Sequence, residues 1–339
     1  MSAVNSEILF DERPEGPEGG QDVPPGTGIY ALAWKRLRRN RVSMFFGFLF
    51  IVLVVLCLLA PVYSQDVAHI GPNTENLTGQ IRVGGKLVYV LSLQDIPIGP
   101  TWDIHHYFLG ADESGRDLAV RLLYGGRASL EIGVVAMLIT MVFGTMLGII
   151  SGYFRGFTDG LISRIMDVIW SYPAVLLGIT LNTVIIVNGL GPLHSTTLLS
   201  TAVVVGFVYI PYIVRPVRAQ VLTLREREFV DAARQQGLSH TRIMFGELLP
   251  NLSSTVIVFI PLMLANSIIL EAALSYLGAG VQAPNSSWGT MIQSGLQNFP
   301  GGFNTVLIPG IMLVLTVMSV NIFGDGLRDA LDPRSKVKV

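Results

Sequence analysis

Few side chains in this sequence are equipped for chemistry, and those few are scattered. Glu271 stands inside a long apolar run, with Asn266 and Ser275 on roughly the same helical side. A carboxylate there is costly, so it either faces a cavity along a translocation pathway or pairs with neighbouring helices and holds a gate closed. His105 and His106 are adjacent and raise the question of a metal. No third ligand stands near them, which favours solvated or turn-forming imidazoles, and no metal site is assigned. The Gly-Gly-Lys-Leu at 84–87 resembles the end of a phosphate loop. That loop needs Gly at position 80 and Ser or Thr at 87, where the chain has Gln80 and Leu87. Nothing else suggests a nucleotide fold, so no catalytic residue is assigned and ATP hydrolysis by this chain is not expected. Asp112, Glu113, Arg116 and Asp117 form one further charged cluster, suited either to capping and salt bridging or to docking another protein.

The elements that must position these residues follow from composition. Charged residues make up 14% of the 339, against roughly 25% in soluble domains, which indicates a membrane protein. The formal net charge of −1 argues against a nucleic-acid partner. Cys57, the single cysteine, lies in an apolar run and reads as a small buried hydrophobe. Spanning a hydrocarbon core about 30 Å thick takes roughly 20 helical residues. Six stretches qualify: Met44–Tyr63, Leu130–Gly152, Leu161–Val187, Thr197–Val217, Leu252–Leu277 and Thr305–Gly324. The third is the weakest, because Arg164 and Asp167 fall in its first turns. The first reads as a retained anchor and not a signal peptide, since a long segment precedes it and no Ala-x-Ala follows. If the N-terminus is cytoplasmic, 18 of the 23 Lys and Arg lie on the inner side and the other 5 all lie in the outer segment 64–129. The positive-inside rule then places both termini in the cytoplasm.

Residues 1–28 are acidic and rich in Gly and Pro, and read as a disordered tail. The basic run Trp34–Arg41 suits an anchor on an anionic leaflet, or a contact for an activating partner. In 80–90 apolar residues alternate on both sides of Gly84-Gly85, the signature of a two-residue β-hairpin. Gly144, Gly148 and Gly152 recur every four residues, a pattern that lets helices approach closely. Pro173 should kink or break the third span, either opening a gap in a conduction path or shaping packing. The loop 278–302 predicts a short helix or re-entrant turn over the outer mouth.

Between the fourth and fifth apolar runs stands FVDAARQQGLSHTRIMFGELLP, residues 229–250. Glu226–Gln236 suits a short helix with Phe229, Val230 and Ala233 on one face. Gly237 suits the left-handed residue that ends it. Ser239 reads as an N-cap for a second helix, with Leu238 and Ile243 spaced as a hydrophobic staple, and Pro250 is expected to close the element. Such a helix–Gly–helix hairpin either rests on lipid headgroups or fits a groove in a soluble protein; its mixed Glu and Arg flanks favour the groove.

These residues carry a resemblance. DAARQQG followed by LLP is similar to the EAAxxxG…LP loop of permease subunits of binding-protein-dependent ABC importers, with Asp231 for the first Glu and Glu247 where Ile is expected. LGADESGRD (109–117), DVIWSYP (167–173) and ILEAALSYLGAGVQAPNSSWG (269–289) resemble segments of the dipeptide, oligopeptide and nickel importers, C-type permease. The resemblance implies an all-α membrane protein of six transmembrane helices, in the type I ABC importer permease fold, with a small extracytoplasmic β-hairpin insertion. The expected organisation is a tail (1–28), a basic anchor and first span (29–63), an extracytoplasmic segment (64–128), a core (129–324) containing a coupling loop (219–250), and a tail (325–339). It implies a pore-forming subunit, not an enzyme, of a peptide importer in a bacterial cell membrane. Its partners would be a second homologous permease, two ATP-binding subunits that hold ATP and Mg, an extracytoplasmic peptide-binding protein and membrane lipid. In that family the loop enters a cleft on the ATPase, which here assigns coupling to Glu228, Asp231, Ala232, Ala233, Gly237, Leu249 and Pro250. A nickel or other small-solute importer is the alternative within the family. A stand-alone secondary transporter is the alternative outside it, although ionisable groups in the spans are nearly limited to Glu271.

Overall fold

A computed structural model describes residues 29–92, 94, 96–188, 198–297 and 302–331. The expected tail 1–28 and the end of the second tail, 332–339, lie outside the described residues. Along the chain come α1 (Ile29–Arg39), α2 (Arg41–Leu58), the short α3 (Ala60–Val62), β1 (Gln80–Val83) and β2 (Lys86–Tyr89). Next are α4 (Leu118–Phe154), α5 (Gly156–Ser171), α6 (Ala174–Asn188), α7 (Leu198–Leu224), α8 (Glu228–Gln235) and α9 (His240–Arg242). The last three are α10 (Leu249–Tyr276), α11 (Trp288–Gln297) and α12 (Phe303–Leu331). Among the described residues five helices are long and apolar enough to cross a membrane: α2, α4, α7, the continuous helix His240–Tyr276, and α12.

The third expected span is not a single helix. α5 and α6 meet at a bend of 94°. The cause is local: a residue before proline is pushed out of the helical region, and Tyr172 is extended, with ψ of 138°. Pro173 then starts the new helix by accepting the Leu177 N–H at 3.0 Å. α5 can carry charge because its polar groups find partners on α7. Asp159 is bound by both Nε and Nη2 of Arg218, and Asp167 by Arg215, whose guanidinium also stacks over Trp170.

Several boundaries differ from expectation, two of them for a visible local reason. The helix expected from Leu130 starts at Leu118, capped by the Asp117 carboxylate, which accepts the Ala119 and Val120 N–H groups. The last helix runs on to Leu331, because Ala330 and Leu331 pack on Ala33 and Leu37 of α1. Pro250 does not close an element either. A π-helical turn at Ile243–Leu248 precedes it, and the helix continues into α10. Near a helix start proline costs little, since its missing N–H need not serve an intrahelical bond.

α4 and α7 form the axis of the bundle. A Cβ on Gly144, Gly148 or Gly152 would stand 2.6–2.8 Å from the Cβ of Ile213, Val217 and Val221 respectively. Both triplets advance by four residues, so glycines on α4 receive branched side chains on α7 along three turns. The strands pair antiparallel from Gln80↔Tyr89 to Val83↔Lys86. Gly84 and Gly85 have φ of +57° and +84°, the left-handed pair that a two-residue hairpin requires.

Candidate functional site

The α8 hairpin sits at one end of the bundle. Val230 and Ala233 turn inward and are buried beside Ile243, Met244 and Leu248 of the π turn. Glu228, Asp231, Ala232 and Arg234 face outward. The small apolar stripe read from the sequence is therefore used inside the chain, and a partner meets a mainly polar face. Gly237 has φ +74°. Its N–H reaches the Arg234 carbonyl at 3.0 Å, and the Leu238 N–H reaches the Ala233 carbonyl at 3.2 Å. That bond pair is the Schellman closure, and it depends on a residue tolerating the left-handed region. Ser239 Oγ then accepts the Arg242 N–H at 3.4 Å and starts α9. Leu249 is half-buried and Pro250 exposed on the first turn of α10.

Three contacts at the root of this hairpin, one to His240 and two between the ends of α4 and α7, have no local signal in the sequence. Tyr153 Oη lies 2.8 Å from His240 Nδ1. Arg225 Nη1 donates to the Tyr153 carbonyl. Arg155 pairs with Glu226, whose carboxyl it holds below its ordinary range. These partners are 71–87 residues apart in sequence, and the only available sign was that Tyr153 and Arg155 end one apolar run as Arg225 and Glu226 end another.

At the opposite end Glu271 is fully buried between α10, α4 and α11. Its Oε1 accepts from Ser275 Oγ at 2.7 Å, and Ser129 and Ser287 approach the same carboxyl. Oε2 has no hydrogen-bond partner among the described residues. Ser275 Oγ also receives the Val281 N–H at 3.1 Å. Ser129 Oγ receives the Trp288 N–H at 3.2 Å, and the buried indole of Trp288 donates to the Leu122 carbonyl at 3.1 Å. A Cβ on Gly289 would strike the Ala272 carbonyl, so α11 lies flush on α10. Of the neighbours suggested by the sequence, Ser275 bonds to the carboxylate, and among the described residues Asn266 makes no hydrogen bond to it. Asn182 of α6 is also buried here and donates to the Ala279 carbonyl.

The Asp112–Asp117 loop closes on itself. Asp112 accepts from the Ser114 and Arg116 N–H groups and from Arg116 Nε at 2.7 Å, and forms an ion pair with the Arg121 guanidinium at 3.2 Å. Asp117 also accepts the Tyr107 N–H at 2.9 Å; burial pushes its carboxyl up while these backbone donors pull it down. Glu113 and Arg116 pair at 3.3 Å and stay partly exposed. His105 Nδ1 lies 3.1 Å from the Val67 carbonyl and is thereby fixed as a donor.

This geometry can be set beside known proteins. Residues 144–337 match the family model of the binding-protein-dependent transport system inner membrane component. Residues 29–78 match the N-terminal transmembrane domain of oligopeptide transport permease C. The chain is 34% identical to the dipeptide transport system permease protein DppC of Alkalihalophilus pseudofirmus, over 99% of this chain and 100% of that protein. It is 34% identical to the di/tripeptide transport system permease protein DppC of Pseudomonas aeruginosa, over 89% of this chain and 91% of that one. It is 33% identical to the glutathione transport system permease protein GsiD of Pectobacterium atrosepticum, over 89% and 90%. Among solved structures, a chain of the MetNI methionine ABC transporter shares the fold, with a TM-score of 0.51 and 19% identity, over 62% of this chain and 96% of that one.

Proposed function

Because the chain belongs to the binding-protein-dependent transport system inner membrane components, we propose that it is the C-type permease of an ATP-driven importer of peptides. As a multi-pass membrane permease of an ABC importer it works with ATPase and substrate-binding partners. In our reading it pairs with one homologous permease to form the pore, rests on two ATPases that hold the ATP and Mg, and receives peptide from an extracytoplasmic binding protein. It binds no cofactor and catalyses no reaction itself. Both termini and the α8 hairpin face the cytoplasm, a placement supported by the excess of Lys and Arg in the segments on that side.

The observation that carries this reading is the Gly237 hairpin. Its outward face, with Glu228, Asp231 and Ala232, is left for the ATPase. Its second arm meets α4 through Tyr153 and His240, the ends of α4 and α7 are joined at its root by Arg225 donating to the Tyr153 carbonyl, and it runs directly into α10. A push on α8 then moves three long helices as a body, as alternating access requires. Glu271 and Pro173 enter as positioning elements: the first holds α11 over the far end, and the second sets the break that leaves α6 free of α5. Glu113 and Arg116 are the members of the charged loop exposed enough to meet the binding protein.

The test is Gly237→Val in the complex reconstituted with its partners. A residue with a branched Cβ resists the left-handed conformation by about 1–2 kcal/mol, which should lower peptide-stimulated ATP hydrolysis and uptake roughly tenfold while insertion persists. Unchanged uptake would remove the coupling role. For substrate, a strain lacking the chain should fail to grow on dipeptides as sole source of a required amino acid. Loss of nickel uptake with dipeptide uptake intact overturns the peptide assignment.

A further inference from the structure

Between α7, α10 and α12, on the α8 side, lies a cavity of about 750 Å³. Gln220, Thr223, Ser254 and Thr255 give its wall neutral polar groups, and Asp325 and Arg328 give it two opposite charges one turn apart on α12. Asp325 and Arg328 stand just past the apolar stretch that ends at Gly324, on the same side of the bundle as the α8 hairpin. Asp159 and Arg218, and Asp167 and Arg215, pair at 2.5 and 2.9 Å. Asp325 and Arg328 do not: both are exposed to the cavity side, and neither makes an ion pair or hydrogen bond among the described residues. The wall thus offers one free carboxylate and one free guanidinium.

We propose that this cavity receives the zwitterionic peptide as it leaves the pore, Asp325 facing its ammonium group and Arg328 its carboxylate. The inference rests on the peptide-importer reading and adds the site at which the permease itself touches cargo. The volume falls within the roughly 300–1,000 Å³ of small-ligand clefts. Residues three apart on a helix stand about 5–6 Å apart at Cβ, comparable with the span of a peptide whose Cα atoms are about 3.8 Å apart. A guanidinium matches a carboxylate in a two-pronged geometry. The remaining polar groups are neutral, so the wall reads the two ends of a peptide and leaves its side chains unread.

Cys57 is fully buried, so an introduced cysteine becomes the reactive thiol of this chain. Thr255→Cys in the assembled complex, in inside-out vesicles without ATP, is labelled with a neutral water-soluble maleimide in the presence of dialanine. Labelling should slow by the factor 1 + [L]/Kd, about fivefold at four times the dissociation constant. N-acetyl-dialanine amide should not slow it, and neither Asp325→Asn nor Arg328→Gln should retain protection by dialanine. Protection that is absent, or equal for the blocked peptide, overturns the proposal. So does a cysteine that stays unreactive in the intact complex, since a partner helix then fills the space. Ser254→Cys replaces Thr255→Cys if the latter fails to assemble. ATP-driven dialanine uptake by the unsubstituted complex is measured alongside: its absence refutes the peptide reading, whereas uptake without protection refutes only the cavity assignment.

Discussion

The two ends of the bundle handle polar groups in opposite ways. At the α11 end they are buried and turned on one another: Glu271, Ser275, Ser129 and the Trp288 backbone lie in a buried seam with glycines at the closest approach. At the α8 end they are exposed and turned outward, and the bonds that hold the hairpin run at its root, through Tyr153, His240 and Arg225. A buried seam resists opening because parting it breaks the bonds of Ser275 and Ser129 to Glu271, Val281 and Trp288. A rooted hairpin with a free face transmits displacement without opening. The first arrangement suits a gate and the second a lever, and α4, α7 and α10 join them.

The largest effect is expected where the two ends share a support. Gly148→Leu drives a side chain into the Cβ and Cγ1 of Val217, which stand 2.8 Å from the nearest added atom, with the Val214 carbonyl at 3.0 Å. Overpacking a rigid helix contact should cost about 3 kcal/mol and disable both ends together, read as a lower unfolding midpoint in detergent and lost uptake. A variant with normal stability would mean that α4 and α7 slide freely, and the lever would lack its shaft.

Glu271 should separate the ends. Glu271→Leu removes the acceptor of Ser275 and leaves buried hydroxyls unpaired, at a cost of about 1–3 kcal/mol, whereas Glu271→Gln keeps an acceptor in place. If the seam holds the gate shut, the leucine variant shifts the balance toward the open far end. ATP hydrolysis without binding protein should then rise by a factor of roughly 5–30, the range that one or two kcal/mol commands. The glutamine variant should stay near the parent. Equal behaviour of the two would assign Glu271 to cargo contact through its charge.

The same contrast explains what the sequence disclosed. The Gly237 cap, the Ser239 N-cap and the Gly84-Gly85 turn are set by residues within about five positions of one another, where backbone rules suffice. The bend at Tyr172–Pro173 was half legible: proline announced a break, but its angle depends on where α5 finds Arg215 and Arg218 on α7. Glu271 drew notice as a charge in an apolar run, yet the Ser129 and Trp288 that complete its seam come from α4 and α11. Pairings of that kind depend on helix register, and one sequence does not carry it. The unpaired charges on α12 were invisible for the same reason, since being unpaired is a property of the assembled bundle.

The smallest expected effect tests the root of the lever. Tyr153→Phe deletes the hydroxyl that meets His240 and keeps the ring, which packs edge-on against Phe154 and His240. The Arg225 bond survives, because it ends on the Tyr153 backbone carbonyl. Losing one partly buried hydrogen bond costs about 1 kcal/mol, so the fold should hold, with uptake reduced by no more than about fivefold. The informative quantity is the ratio of peptide imported to ATP hydrolysed. A loosened root wastes motion, so that ratio should fall while hydrolysis itself stays near the parent rate. A proportional fall in both would instead mean that the hydroxyl merely positions α8 for docking, and that rigidity between hairpin and bundle resides in Arg225 and in the unbroken helix from His240 to Tyr276.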